Sequence, residues 1–257
     1  MREHTEATVE LAEVAAWLRR ATRVVALTGA GISTDSGIPD FRGPGGVWTK
    51  DPKAERLSHI RYYMDDPEVR ALAWQGRLNH PAWDAQPNPA HRALADLERK
   101  GRLHTLVTQN IDGLHQLART STDILIEIHG TIREVLCMSC DDRGPMELAL
   151  ARVRAGEIDP PCRTCGGILK STTVSFGQSL DPFDLERASD EAGRSDLFLA
   201  LGTSLGVYPV AYLPNRTLES GGRLVIINAE PTPFDRQAAA VINAPLAEVL
   251  PELVRQI

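Results

Sequence analysis

The chain has 257 residues, 42% hydrophobic and 24% charged, with 28 Lys and Arg against 34 Asp and Glu for a formal net charge of −6. This excludes a disordered tail, a collagen-like repeat and a disulfide-stapled miniprotein, and it leaves one large domain or two unequal ones. An acidic chain does not hold nucleic acid through bulk charge, although a local basic patch stays open.

Glu3, Glu6, Glu10 and Glu13 interrupt any signal-peptide pattern in the first twenty residues. No window approaches the roughly 18 apolar residues of a membrane span. A cytoplasmic protein is expected. Val9 to Arg20 reads as an amphipathic helix, with Leu11, Val14, Ala15 and Leu18 at helical spacing. Short apolar runs follow at Val24–Leu27, Leu103–Val107, Ile124–Ile128, Leu197–Leu201 and Leu224–Ile227. Helical patterns lie between them, as at Ala90–Lys100 and Leu185–Gly193. Continuous apolar strands alternating with helices imply an α/β fold with a parallel sheet covered on both faces. Two stretches break the alternation, Asp35 to Asn88 and Cys137 to Thr173. Both read as insertions that together form a smaller lobe. The large lobe then takes about residues 9–48, 88–135 and 174–257, and the small lobe about 49–87 (helical) and 136–173 (metal-binding).

After the first strand comes Gly29-Ala30-Gly31-Ile32-Ser33. In dinucleotide folds such glycines let the backbone approach a pyrophosphate, and the next helix aims its N-terminus there. The third glycine is out of register, so a plain tight turn is an equal reading of this segment alone. The Gly- and Pro-rich run Ser36 to Gly46 cannot continue a helix. It carries Asp40, Phe41 and Arg42 in a row, groups suited to a loop that closes over a cofactor.

The four cysteines fall as Cys137-x2-Cys140, 21 residues, then Cys162-x2-Cys165. Two CxxC hairpins suit a tetrahedral thiolate site, with zinc its usual occupant and no position open for water. The rival readings are a redox pair and a nucleic-acid-binding ribbon.

Polar groups cluster after the apolar runs, where parallel sheets bind ligands. Thr108-Gln109-Asn110-Ile111-Asp112 follows one, His129-Gly130 the next, Gly202-Thr203-Ser204 another and Asn228-Ala229-Glu230 the last. Each is also compatible with an ordinary cap or loop. Of the seven histidines, His129 is the best general base, because its position puts it beside a site and its pKa can sit near neutrality. His91 and His115 fall within helical patterns and look less exposed to a site.

Taken together, GAGISTDSGIPDFRGPGGVW, TQNIDGLH, His129-Gly130, the two CxxC pairs, FGQ, GTSLGVYP and INAEPTP, in this order, resemble the sirtuin family of NAD-dependent protein deacylases. The resemblance runs from about Val24 to the C-terminus. It implies a Rossmann-like large lobe, a small lobe with one structural zinc, and NAD in the cleft between them. Gly29, Ala30, Gly31, Ser33, Asp40, Phe41, Arg42 and Trp48 would then line the cofactor site. Gln109, Asn110, Ile111 and Asp112 would surround the nicotinamide and its ribose, with Asn110 and Asp112 also catalytic. Gly202, Thr203, Ser204, Asn228, Ala229, Glu230 and Leu246 would hold the adenosine half. His129 matches the general base, and Cys137, Cys140, Cys162 and Cys165 match the zinc ligands.

The implied reaction removes acyl groups, acetyl foremost, from protein lysine and yields nicotinamide, O-acyl-ADP-ribose and free lysine. An acylated peptide would add as a strand between Val174–Gly177 and Gly206–Tyr208, a β-augmentation mode, with Val174, Phe176, Gly177 and Val207 as contacts. Alternatives are ADP-ribosyl transfer to protein, a longer or acidic acyl group, and a hydride-transferring dehydrogenase. The chain departs from the family in three places. Lys170-Ser171 stands where an Arg-Pro pair is common, Gln178 stands where Glu is common, and Trp74-x2-Arg77 replaces the Tyr-x2-Arg of members that remove succinyl groups. Arg77 is open between a partner for an acidic acyl group and a solvated helix face.

Overall fold

The computed structural model describes residues 2–41, 43, 46–50 and 58–257, without the side chains of residues 2–10, Val47 and Trp48. Nine strands are described: β1 Val24–Thr28, β2 Thr105–Thr108, β3 Leu125–Glu127, β4 Glu134–Cys137, β5 Arg143–Pro145, β6 Leu169–Ser171, β7 Leu197–Leu201, β8 Arg223–Ile227 and β9 Ala240–Ile242. The helices used below are α1 Arg2–Arg20, α2 Val47–Lys50, α3 Ile60–Asp65, α4 Pro67–Leu78, α5 Pro89–Arg99, α6 Leu114–Leu117, α7 Met146–Arg154, α8 Pro182–Arg194, α9 Leu213–Glu219 and α10 Leu246–Arg255.

Six strands form one parallel sheet in the order β3-β2-β1-β7-β8-β9. The order reverses between β1 and β7, which places a ligand crevice at their carboxyl ends. The apolar runs are continuous because both faces are covered. Val24, Ala26, Leu197, Leu199, Leu201, Val225 and Ile227 face a core shared with α1, α5 and α10. Their neighbours Val25, Leu27, Phe198, Ala200, Leu224 and Ile226 face a second core with α8 and α9. Alternate residues thus serve opposite layers, the period of a strand.

Local chemistry sets the helix starts. Asn88 accepts the N–H groups of Ala90 and His91 ahead of Pro89 at the first turn of α5, and Asp181 does the same for Phe183 and Asp184 ahead of Pro182 in α8. Asn88 has a second task. Its Nδ2 donates to Ile32 O at 2.7 Å and to Ser36 Oγ at 3.1 Å, which ties the glycine turn to α5.

The two sequence stretches that break the alternation share a core of their own. β5-β4-β6 form an antiparallel sheet. Trp74 and Leu78 of α4 pack there with Val135, Cys137, Met146, Leu150, Cys162 and Leu169. Trp74 is fully buried and its Nε1 donates to Asp159 Oδ1 at 3.2 Å, so it is a core residue.

No α-helix follows the glycine turn. Two 3-10 turns, Ala30–Ile32 and Thr34–Ser36, stand in its place. A helix dipole aimed at a pyrophosphate is therefore not part of this segment. The glycines serve close packing between the ends of β1 and β7. A Cβ on Gly29 would lie 2.7 Å from Gly202 O, and one on Gly31 would lie 2.8 Å from Gly202 Cα. Gly202 itself has φ +59°, and its Cβ would meet Ile32 N at 2.6 Å. Gly202→Ala combines a left-handed backbone with backbone overlap, so it should destabilise the fold by about 2–4 kcal/mol. Chemical denaturation measures this; an unchanged midpoint would show that the two turns separate readily.

Candidate active site

A cleft of about 1810 Å³ opens at the carboxyl ends of β1, β2, β7 and β8. It exceeds the roughly 300–1,000 Å³ of an ordinary small-ligand site. Gly29, Ala30, Gly31, Ser33, Asp40 and Phe41 line it from the first turn, and Gln109, Asn110, Ile111 and Asp112 from the end of β2. Gly202, Thr203, Ser204, Asn228, Ala229, Glu230 and Leu246 line the far end, and His129, Val174, Phe176, Gly177 and Val207 the side toward the small lobe. Arg42 lies outside the described residues, as does the side chain of Trp48.

Hydrogen bonds hold these strand ends in one arrangement. Gln109 Nε2 donates to Thr203 Oγ1 at 2.8 Å, joining the ends of β2 and β7. Asn110 Nδ2 donates to Gly29 O at 3.1 Å and Ser33 Oγ at 3.2 Å. Ser33 Oγ donates to Asp112 Oδ2 at 2.8 Å, while Asp112 Oδ1 accepts the N–H of Leu114 at the start of α6. Asn110 and Asp112 are both buried, so these bonds form away from bulk water. Arg133 holds the Asp112 carbonyl with two donors, at 3.2 and 2.9 Å. Backbone polar groups, amides and a carboxylate in a space of this size fit a dinucleotide with room for a second ligand.

His129 is set by one bond. Its Nδ1 lies 3.0 Å from Gln109 O, a carbonyl that can only accept, so the ring proton sits on Nδ1 and Nε2 carries a bare lone pair. Burial lowers the His129 pKa, partly offset by the Gln109 carbonyl. The ring is a neutral base with a fixed tautomer. His80, also on the cleft wall, is lowered by burial against the opposing charge of Asp112.

The peptide edge differs from the expectation at Phe176. Its N–H donates to Ser58 O at 3.0 Å and its carbonyl accepts from Ile60 N at 2.9 Å. That backbone edge is filled by the segment before α3 and cannot also pair with a substrate strand. Val174 is likewise committed, its N–H donating to His129 O at 2.8 Å. Gly177, with φ +79°, sits under the His59 ring.

Sequence reasoning left out several cleft residues, among them Ile38, His80, Ser171, Thr173 and Asn243. Asn243 follows β9 as the other polar groups follow their strands, but a three-residue strand does not stand out in the sequence. Arg77 is not a solvated face. Its guanidinium carbon lies 5.0 Å from the Tyr63 ring centre and 4.9 Å from that of Trp74. Its Nε donates to Ser171 Oγ and its Nη1 to Tyr63 OH, each at 3.2 Å, and Tyr63 OH donates to Leu169 O at 2.6 Å. Among the described residues no carboxylate pairs with Arg77. Lys170, fully buried beneath it, is lowered to about 7 by burial first and by Arg77 second.

The four cysteine sulfurs lie within 4.8 Å of one another. Cys137 and Cys165 are 3.5 Å apart, and Cys140 and Cys162 3.8 Å. Thiolates at about 2.3 Å from a tetrahedral zinc stand about 3.8 Å apart, so the cluster fits that ion. Backbone N–H groups of Ser139 and Gly167 point at Cys137 Sγ and Cys165 Sγ, donors that would compensate thiolate charge.

Comparison with known proteins agrees with this geometry. A model of the Sir2 family matches residues 29–209. The NAD-dependent protein deacetylase 2 of Streptomyces coelicolor is 53% identical over 232 residues, covering 90% of this chain and 96% of its own length. NAD-dependent protein deacetylase 1 of Pyrobaculum aerophilum is 43% identical over 248 residues, covering 96% and 94%. A solved Sir2 enzyme superposes with a TM-score of 0.87 at 37% identity, over 96% of this chain and 97% of its own. Another, bound to a propionylated peptide, gives 0.85 at 36%, over 95% and 97%. The Rossmann-ordered sheet, the cleft at its switch point and the four-cysteine lobe accordingly place the chain in the Sir2 family.

Proposed function

We propose that the chain removes acyl groups from lysine side chains of proteins in a reaction that consumes NAD, with acetyl-lysine as the first substrate. The observation that carries this is His129, a neutral base whose Nε2 lone pair has no partner among the described residues, on the wall of a cleft that also fits a dinucleotide. NAD would supply the ribose carbon that accepts the acyl oxygen and would carry the acyl group away. Asn110 and Asp112 would orient its nicotinamide end, while the turn at Gly202–Ser204 and the segment Asn228–Glu230 would hold the adenosine half. His129 would take the ribose hydroxyl proton onto Nε2, with Gln109 O holding the other nitrogen. The exposed Phe41 ring, on the rim of the cleft, would keep water from the reacting face. The peptide would lie along Gly177 and Val207, since the Phe176 backbone edge is filled. Zinc in the four-cysteine site would be structural, because all four positions are protein thiols.

Nicotinamide release tests the reaction. Release that requires an acyl-lysine peptide supports deacylation. Release without peptide, with label transferred to protein, would replace it by ADP-ribosyl transfer, and appearance of NADH would replace it by hydride transfer.

Arg77 favours a second reading of the acyl group. A cleft-lining guanidinium clamped between two rings, with no carboxylate partner among the described residues, can receive an acid. Tyr63, from a different helix, holds Arg77 in place with a hydroxyl whose own hydrogen goes to Leu169 O. On this reading succinyl-lysine peptides are also turned over. Arg77→Met should then lower kcat/KM for them by about tenfold or more, as for a lost charged hydrogen bond, and should spare acetyl peptides. Equal loss on both peptides would assign Arg77 to the fold alone.

A further inference from the structure

Two histidines that the proposed chemistry does not use lie side by side beneath the cleft. His91 of α5 and His115 of α6 are both buried, with ring centres 4.9 Å apart. Burial drives both toward the neutral form, His91 to about 4 and His115 well below its ordinary value. Among the described residues, neither nitrogen of His91 has a hydrogen-bond partner, nor has Nδ1 of His115. His115 Nε2, in contrast, lies 3.0 Å from Thr28 Oγ1. Thr28 Oγ1 donates its own hydrogen to Thr108 Oγ1 at 2.9 Å. The Thr28 oxygen therefore accepts from His115, whose proton sits on Nε2. Thr108 Oγ1 also accepts the backbone N–H of Asn110 at 3.1 Å. From Asn110 the chain continues through Ser33 Oγ to Asp112 Oδ2. A histidine buried out of reach of any ligand is thus bonded, link by link, to three residues that line the cleft.

We propose that His115 is a positioning residue for the nicotinamide end of the cofactor site. It fixes the backbone of Asn110 through Thr28 and Thr108, and with it the Asn110–Ser33–Asp112 group. His91 packs on the His115 ring and presents no acceptor to its Nδ1, so the donor stays on Nε2, where the relay needs it. A buried polar chain of this kind orders its members only while every link is made. The inference rests on the reading that Asn110 and Asp112 meet the nicotinamide end of NAD.

Three single variants of the full chain test it. Thr28→Val keeps the side-chain shape and removes the hydroxyl, His115→Leu removes the donor, and His115→Gln returns an amide N–H to the same region. The readouts are KM and kcat for NAD, nicotinamide exchange, and NAD binding by calorimetry. Thr28→Val and His115→Leu should each raise KM and weaken exchange and binding by about three- to tenfold, the worth of one neutral hydrogen bond, with a smaller change in kcat. His115→Gln should recover most of the loss. The Thr28→Val, His115→Leu double variant should be no worse than the poorer single, because both break one chain. Folded Thr28→Val with unchanged KM, exchange and binding would overturn the proposal, as would losses that add in the double variant. Should His115→Leu fail to fold, Thr28→Val decides alone. If the unsubstituted chain binds NAD but releases no nicotinamide with acyl peptides, the functional reading fails separately, and calorimetry still tests the relay.

Discussion

His129→Ala lowers deacylation by at least about 100-fold, the lower end of what a positioned general base contributes, and leaves the fold in place. The ring lies on the cleft wall, outside the three hydrophobic cores, and its one described hydrogen bond is to Gln109 O. Removing it opens no cavity in those cores. Nicotinamide exchange should fall less than deacylation, because nicotinamide leaves before the base acts. The pH dependence follows from the same burial. The base works when Nε2 is unprotonated, and burial holds the His129 pKa below its ordinary 6.5. Activity should therefore be on its plateau at neutral pH and decline as acid protonates the ring, with the midpoint of the acid limb below 6.5. Steady-state kcat/KM from pH 5 to 8, with folding followed by circular dichroism, checks both statements. A folded His129→Ala variant with near-native deacylation would remove the base from His129.

The large sheet is legible in the sequence because its strands are covered on both faces, which makes Val24–Leu27 and Leu197–Leu201 unbroken apolar runs. The cleft is legible for a related reason. In a parallel sheet every strand points the same way, so polar residues after successive runs, such as Asn110, His129 and Thr203, are brought to one end. What does not show is contact across distant segments. Tyr63, Arg77 and Ser171 come from α3, α4 and β6, and nothing in their spacing announces that they meet. The filling of the Phe176 edge by Ser58 and Ile60 is of the same kind. The glycines of the first turn do stand out in the sequence, but the reason for them does not. Their neighbour is Gly202, far away in the chain, so the packing of the two turns against each other has no local signal. Two short or interrupted elements are also faint. β9 has three residues, and Pro251 sits inside α10 although Leu246, Val249, Leu250, Leu253 and Val254 keep a helical stripe.

Removing metal from the four-cysteine site should unfold the small lobe and abolish activity, although no cysteine touches the cleft. A structural zinc contributes about 10–16 kcal/mol in small domains, as much as or more than the roughly 5–15 kcal/mol stability of a whole domain. Cys137 and Cys162 are buried in the same core as Trp74, Met146 and Leu150, so four uncompensated thiols would loosen that core directly. The loss then travels along the backbone. Cys137 ends β4, which pairs with β6 through Cys137 and Leu169. β6 runs into Ser171, Thr173 and Val174 on the cleft wall, and the Val174 N–H is bonded to His129 O. A Cβ on Gly130, next to the base, would overlap Thr172 O, so the two segments are in contact. Loss of the metal therefore frees both the wall of the acyl end and the neighbour of His129. Treatment with a strong chelator should bring early proteolysis and fast hydrogen exchange within residues 134–171, while β1, β7 and β8 stay protected. Deacylation should disappear together with one equivalent of zinc, and Cys162→Ser should reproduce the effect. Folded, active protein that contains no zinc by metal analysis would end the structural-metal assignment, and a Cys137–Cys165 disulfide in that protein would point to redox chemistry instead.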